Sequence, residues 1–219
     1  MGKRAFDRAG TSFTSAQRRG WRASLSLTLL RLALAPAFIL CARLGTRGWI
    51  LALMLVIGFA SDVFDGVVAR RYGAITPFLR RLDSTADTIF YLAVAYSAWV
   101  LYPQPLRALA WPISIVLAGE AANYLVALLK FRREASYHAW SAKLWGFLLF
   151  LALMSLFGIG SAVLLPIALG AGIVAECESL AITLILPSWR HDVPSIWHAR
   201  RLRLEVAHLI PPNDEKRGW

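Results

Sequence analysis

Apolar residues in this chain come in long blocks, not in the two-residue alternation of a half-buried strand. The blocks cover about residues 24–44, 49–69, 84–102, 106–129, 144–157 and 163–186, and short polar links separate them. A helix rising ~1.5 Å per residue needs roughly twenty apolar residues to cross a hydrocarbon core. The pattern therefore predicts an all-α, polytopic membrane protein with six transmembrane helices in a domain over residues 23–187. Ahead of it, residues 1–22 carry Lys3, Arg4, Arg8, Arg18, Arg19 and Arg22 interspersed with Phe6, Phe13 and Trp21. This reads as an amphipathic juxtamembrane segment lying on anionic lipid, with a disordered basic tail an equal reading for residues 1–12. The segment is too polar for a secretory signal and is taken as part of the mature chain. Behind the domain, residues 188–219 form a basic cytoplasmic tail, in which residues 197–209, with Arg200, Arg201 and Arg203, predict a membrane-surface helix.

Composition sharpens this picture. Of 219 residues, 58% are hydrophobic and 17% charged, too apolar a balance for a soluble domain of this size. A formal charge of +11 could suggest nucleic acid, but the basic residues lie in the links between apolar blocks. The N-terminal segment holds six Lys and Arg, the second-to-third link four, the fourth-to-fifth link four and the tail six; the alternate links hold two, one and none. Excess Lys and Arg mark the cytoplasmic side. Both termini and the second-to-third link are expected there, at the inner membrane. Cys41 and Cys177 both lie in apolar runs and read as packing residues.

Some ionisable residues interrupt the apolar blocks. Arg31 lies inside the first, where a charge is costly and should face the bundle interior. Asp62 and Asp65 are spaced i,i+3, and Asp83 and Asp87 i,i+4, so each pair projects from one helix face on either side of a link marked by Gly73 and Pro77. Four carboxylates brought together at a membrane edge repel one another unless a cation sits among them. All-oxygen ligation suits Mg²⁺ or Mn²⁺ better than zinc, and such ions keep positions free for phosphate. Gly66 lets a ligand approach the helix backbone, and Arg70, one turn on, can meet a phosphate oxygen.

These residues resemble the signature of the CDP-alcohol phosphatidyltransferases, DxxDGxxAR followed after eight residues by GxxxDxxxD. Asp62, Asp65, Gly66, Ala69, Arg70, Asp83 and Asp87 stand at the required spacing; Leu79 stands where the pattern has glycine. Thr28, Arg31 and Pro36 fit a second family pattern, whereas Arg22 takes the place of an asparagine seen in some members. The resemblance implies transfer of a phosphatidyl group from CDP-diacylglycerol to a small alcohol with release of CMP. It implies a homodimer, two Mg²⁺ or Mn²⁺ ions on Asp62, Asp65, Asp83 and Asp87, and Asp87 as general base. It places Thr28, Gly66, Ala69, Arg70 and Thr76 against the CDP-lipid.

The acceptor is left open. Lys130, Arg132, Arg133, His138 and Lys143 follow the fourth block and could hold an anionic alcohol. The run KFRREAS is similar to KARAEAS of members that use inositol phosphate, while Lys143 matches a lysine of glycerophosphate-using members. Glycerol 3-phosphate is the leading acceptor, and inositol phosphate or another polyol the alternative. Leu79 also leaves open a non-catalytic membrane relative, and a small transporter fits poorly because rim-placed aspartates offer no path across the bilayer. Glu120 and Asn123, spaced i,i+3, read as interhelical hydrogen-bonding residues or the border of a polar cavity. Glu176 and Glu178 read as structural, as partners for Arg31 or for a dimer neighbour.

Overall fold

The computed structural model describes residues 14–74, 76–133, 137, 139–190 and 193–209, without the side chains of 205–209. Expectations for residues 1–13, for Ile75, for Glu134 to Ser136 and His138, and for the last ten residues lie outside this set. Every regular element described is helical: α1 (Ser15–Arg43), α2 (Gly48–Arg71), α3 (Pro77–Leu101), α4 (Pro103–Ala108), α5 (Ala110–Phe131), α6 (Trp140–Ile159), α7 (Leu165–Ile185) and α8 (Ile196–Leu209).

Among the described residues, five helices are long and apolar enough to cross a membrane: α1, α2, α5, α6 and α7. The protein is an integral membrane protein. Helix α3 corresponds to the third expected span and differs from the others in chemistry, not length. Arg80, Arg81, Asp83 and Asp87, together with Ser84, Thr85 and Thr88, make its first half polar. The first expected span also begins earlier than its apolar block. Thr14 caps α1 through a capping box, accepting from the Gln17 N–H at 3.2 Å while its own N–H donates to Gln17 Oε1 at 2.9 Å. Residues 15–22 therefore continue the first span as one helix.

By contacts the chain forms two compact units. The first holds the chain up to Leu106 and the last turn of α6, Leu156–Gly160. Here α1 packs along both α2 and α3. Its buried stripe, Ser24, Thr28, Arg31, Ala35, Phe38 and Ala42, recurs every three or four residues. Phe38 anchors the apolar end, edge-on to Phe90 at 6.2 Å and to Phe157 at 5.2 Å. The link between α2 and α3 is a Schellman turn: Gly73 N–H donates to Arg70 O and Ala74 N–H to Ala69 O. Gly73 adopts φ +57°, a left-handed conformation that favours glycine. Pro77 then opens α3, and Thr76 caps it by accepting from the Leu79 N–H at 3.1 Å.

The second unit holds Arg107–Ser155 and the chain from Ser161. Helices α5 and α7 pack side by side, and α8 lies on α7. Ile182, Leu186, Val193 and Ala199 make a small core that fastens α8. Trp197 and Leu204 of α8 remain exposed beside Arg200 and Arg201, the composition expected of a helix lying on a lipid surface.

Candidate active site

The first unit brings together what the sequence spaces apart. Asp62 and Asp65 project from the end of α2, Asp83 and Asp87 from the start of α3, and Arg31 from α1 lies at the centre of all four. The Arg31 side chain is completely buried. Its Nη1 donates to Asp62 Oδ1 at 3.0 Å and also pairs with Asp87, and its Nη2 donates to Asp83 Oδ1 at 2.6 Å and pairs with Asp65. The carboxylates divide into two sets. Asp62, Asp83 and Asp87 are partly exposed, at 36%, 34% and 29%, whereas Asp65 is buried at 4%.

Helix α1 secures the buried one. Ser24 Oγ donates to the Asp65 carbonyl at 3.3 Å, and Thr28 Oγ1 lies 3.5 Å from Asp65 Oδ2 while donating to Ser24 O at 3.1 Å. These residues and Arg31 share the α1 stripe that faces the acids. Arg31 is thus the functional residue whose role the sequence left undetermined. Its four acidic partners are the signature aspartates. Glu176 instead pairs with Asn123, and Glu178 accepts from the Ile196 N–H.

Whether a divalent ion fits can be judged from the donor set. Carboxylate oxygens of Asp62, Asp83 and Asp87 lie within 4.8 Å of one another, close enough to share one ion. When all are ionised, four carboxylates against one guanidinium leave three negative charges uncompensated. Hard oxygen donors, partial exposure and excess negative charge all suit a hard divalent cation. Asp65 stands apart from this open trio, tied to Arg31 and α1.

The other expected residues fall into two groups. Near the acids, the Arg70 guanidinium lies over Gly66: a Cβ at this position would meet it at 3.4 to 3.8 Å, in ordinary contact. Ala69 is buried against the bundle. Thr76, expected at the CDP-lipid, is buried with its hydroxyl engaged as the cap of α3. Leu79 is buried at 4% and lies one and two turns before Asp83 and Asp87 on the same helical face.

The expected acceptor residues belong to the second unit, and each has its own local contact. Lys130 Nζ donates to the Thr183 and Leu184 carbonyls at 2.9 and 2.8 Å, satisfying the end of α7. Arg132 is the left-handed cap of α5 at φ +53°. Lys143 lies over the Trp140 ring at 4.9 Å.

The first unit thus holds four acids and one buried arginine where α2 meets α3 among apolar helices. The sequence model of the CDP-alcohol phosphatidyltransferase family matches residues 23–185, and the chain belongs to that family. No curated protein and no solved structure matches it. Membership makes the chain a transferase of substituted phosphate groups that moves a phosphatidyl group in phospholipid biosynthesis, and its family uses divalent metal ions.

Proposed function

We propose that this protein transfers the phosphatidyl group of CDP-diacylglycerol to a small phosphorylated alcohol, with glycerol 3-phosphate the leading acceptor, and releases CMP. The observation that carries this reading is the convergence of Asp62, Asp83 and Asp87 within 4.8 Å beside the buried Asp65–Arg31 pair. Asp62, Asp65, Asp83 and Asp87 would hold two Mg²⁺ or Mn²⁺ ions, which when bound neutralise and polarise phosphoryl oxygens. Arg70 and Gly66 would receive the diphosphate, the guanidinium that lies over Gly66 donating to its oxygens. Thr28 and Ala69 would complete the CDP-lipid edge. Thr76 would shape this edge as its hydroxyl fixes the start of α3.

Asp87 would take the proton of the acceptor hydroxyl as that oxygen bonds to the phosphatidyl phosphorus. The bond from phosphorus to the CMP oxygen breaks, and CMP leaves with the electron pair. Lys130, Arg132 and Lys143 supply positive charge for an anionic acceptor, Lys130 with its ammonium already shared with α7. The KFRREAS run supports inositol phosphate as the second acceptor reading.

In this proposal residues 23–187 form a six-span domain in which α3 crosses with the other five helices. Both termini and the acids face the cytoplasm at the inner membrane, and the protein works as a homodimer. The test is release of CMP from radiolabelled CDP-diacylglycerol over a panel of alcohols. Activity should require Mg²⁺ or Mn²⁺, the product should carry a phosphorylated head group, and Asp87→Asn should lower turnover by about 10²-fold or more. A folded wild-type protein that turns over no acceptor with ample manganese would favour the non-catalytic reading that Leu79 leaves open.

A further inference from the structure

On the side of the acids away from the α2–α3 turn lies a contact that neither the signature nor the proposed chemistry includes. Gly58 stands one turn before Asp62 and two before Asp65 on α2, and Phe90 stands one turn after Asp87 and two after Asp83 on α3. Each is therefore on the helix stripe that carries the acids. The tip of the Phe90 ring rests on the bare backbone of Gly58. A Cβ at Gly58 would overlap the ring, with Cζ and both Cε atoms at 3.0 Å or less.

The ring is held from behind. Phe90 has no exposed surface, and Phe38 of α1 stands edge-on to it at 6.2 Å, itself backed by Phe157 at 5.2 Å. Phe38 lies two turns beyond Arg31 on the buried stripe of α1. Three helices thus meet in one layer, Phe38 on Phe90 on Gly58, next to the level of Arg31 and the four aspartates. Helices α2 and α3 make far less contact with each other than either makes with α1, so this layer weighs heavily in setting their separation. A close-packed interior transmits a displacement instead of absorbing it, and the acids are only about one helical turn, roughly 5 Å, away.

We propose, on the reading that the acids hold a divalent cation, that Gly58 and Phe90 are positioning residues for it. Their contact sets the distance between α2 and α3, and with it the span between Asp62 on one helix and Asp83 and Asp87 on the other. The oxygens of this trio lie within 4.8 Å of one another, close enough to share an ion. Small hard ions take short bonds to oxygen, ~2.0–2.1 Å for Mg²⁺, and demand near-ideal geometry. A methyl group that drives α2 from the Phe90 ring therefore loosens the hold on the ion without touching it.

Mn²⁺ binding by the purified full chain, read from loss of the free-ion EPR signal, tests this without turnover. Gly58→Ala should weaken binding about tenfold or more. Phe90→Leu keeps the core filled but withdraws the ring tip, and should weaken binding about threefold. Adding Gly58→Ala to Phe90→Leu should have no further effect, so the double variant binds more tightly than Gly58→Ala alone. A role confined to folding predicts no such rescue. Gly146→Ala on α6, where a Cβ meets nothing within 4 Å among the described residues, should bind like wild type.

If Gly58→Ala fails to fold, Phe90→Leu and the double variant still decide. Folded Gly58→Ala or Phe90→Leu protein that binds Mn²⁺ within about twofold of wild type overturns the positioning role and leaves the metal site standing. A double variant about tenfold weaker than Phe90→Leu does the same. Folded wild-type protein that binds no Mn²⁺ overturns the metal reading, and the positioning role with it.

Discussion

At the scale of single residues, Arg31 decides how four acids can coexist in an apolar bundle. A fully buried guanidinium in a spanning helix is expensive on its own, and so are carboxylates crowded at a membrane rim. Together they offset one another, because the planar fork of arginine can meet several carboxylates at once. Removing one member of a buried ion pair leaves the others uncompensated and costs about 3–5 kcal/mol. Arg31→Gln is therefore expected to lose roughly that much stability in EDTA, read from thermal or denaturant unfolding. Mg²⁺ or Mn²⁺ should restore more of the loss in this variant than it adds to wild type, since the ion then supplies the missing positive charge. Arg31→Lys, which keeps the charge but not the fork, should fall between. Equal metal stabilisation of Arg31→Gln and wild type would show that Arg31 is not a counter-ion of this nest. The sequence made the spacing of the aspartates legible, because periodicity within a helix is a property of neighbours in the chain. It left Glu176 and Glu178 as candidate partners for Arg31, because pairing between helices depends on packing that no local pattern records.

Among the elements, the turn joining α2 to α3 holds the two acid pairs in register. Gly73 and Pro77 marked this link in the sequence, and the structure gives each a task, one in the Schellman turn and the other at the first position of α3. Thr76 was less legible. Family resemblance implies a place for it at the nucleotide, and the structure adds that its hydroxyl caps α3, a geometry set by where the helix begins. Leu79 follows from that cap. Its N–H is the one Thr76 accepts, and its buried side chain lies on the face that carries Asp83 and Asp87. Leu79→Ala removes apolar volume from this packed position and should cost about 2–5 kcal/mol. Leu79→Gly should cost more, by roughly 1 kcal/mol of helix propensity. Both variants belong in the acceptor panel as well as in unfolding experiments. If leucine narrows the acceptor side of the acids, bulkier alcohols should gain turnover relative to glycerol 3-phosphate in the variants that remain folded. A stability loss below about 0.5 kcal/mol would show that the position is not packed as a core site.

For the whole molecule, the number of membrane crossings fixes whether the acids and the C-terminal helix lie on the same side. Five helices qualify by length and apolarity, and α3 has 25 residues but a polar first half. Its second half, from Ile89 to Leu101, is apolar and contains the buried Phe90, Ala93, Val94 and Ala98 that meet the bundle. Helix α1 packs along α3 as it does along α2, so α3 is held among spanning helices despite its acids. The polar half is also the half that carries Asp83 and Asp87, and these carboxylates lower the hydropathy of the segment. A crossing α3 makes six and puts the start of α8 on the same side as the α2–α3 link. Single cysteines at Arg47 and Arg71, introduced after replacing Cys41 and Cys177 with alanine, distinguish the possibilities. In right-side-out vesicles, a membrane-impermeant maleimide should label the Arg47→Cys protein. The Arg71→Cys protein should react only after permeabilisation, as should a cysteine at Ser195 ahead of α8. If the Ser195→Cys protein reacts from outside while Arg71→Cys does not, α3 does not cross, and the acids would then be reached from a side opposite to the C-terminal helix.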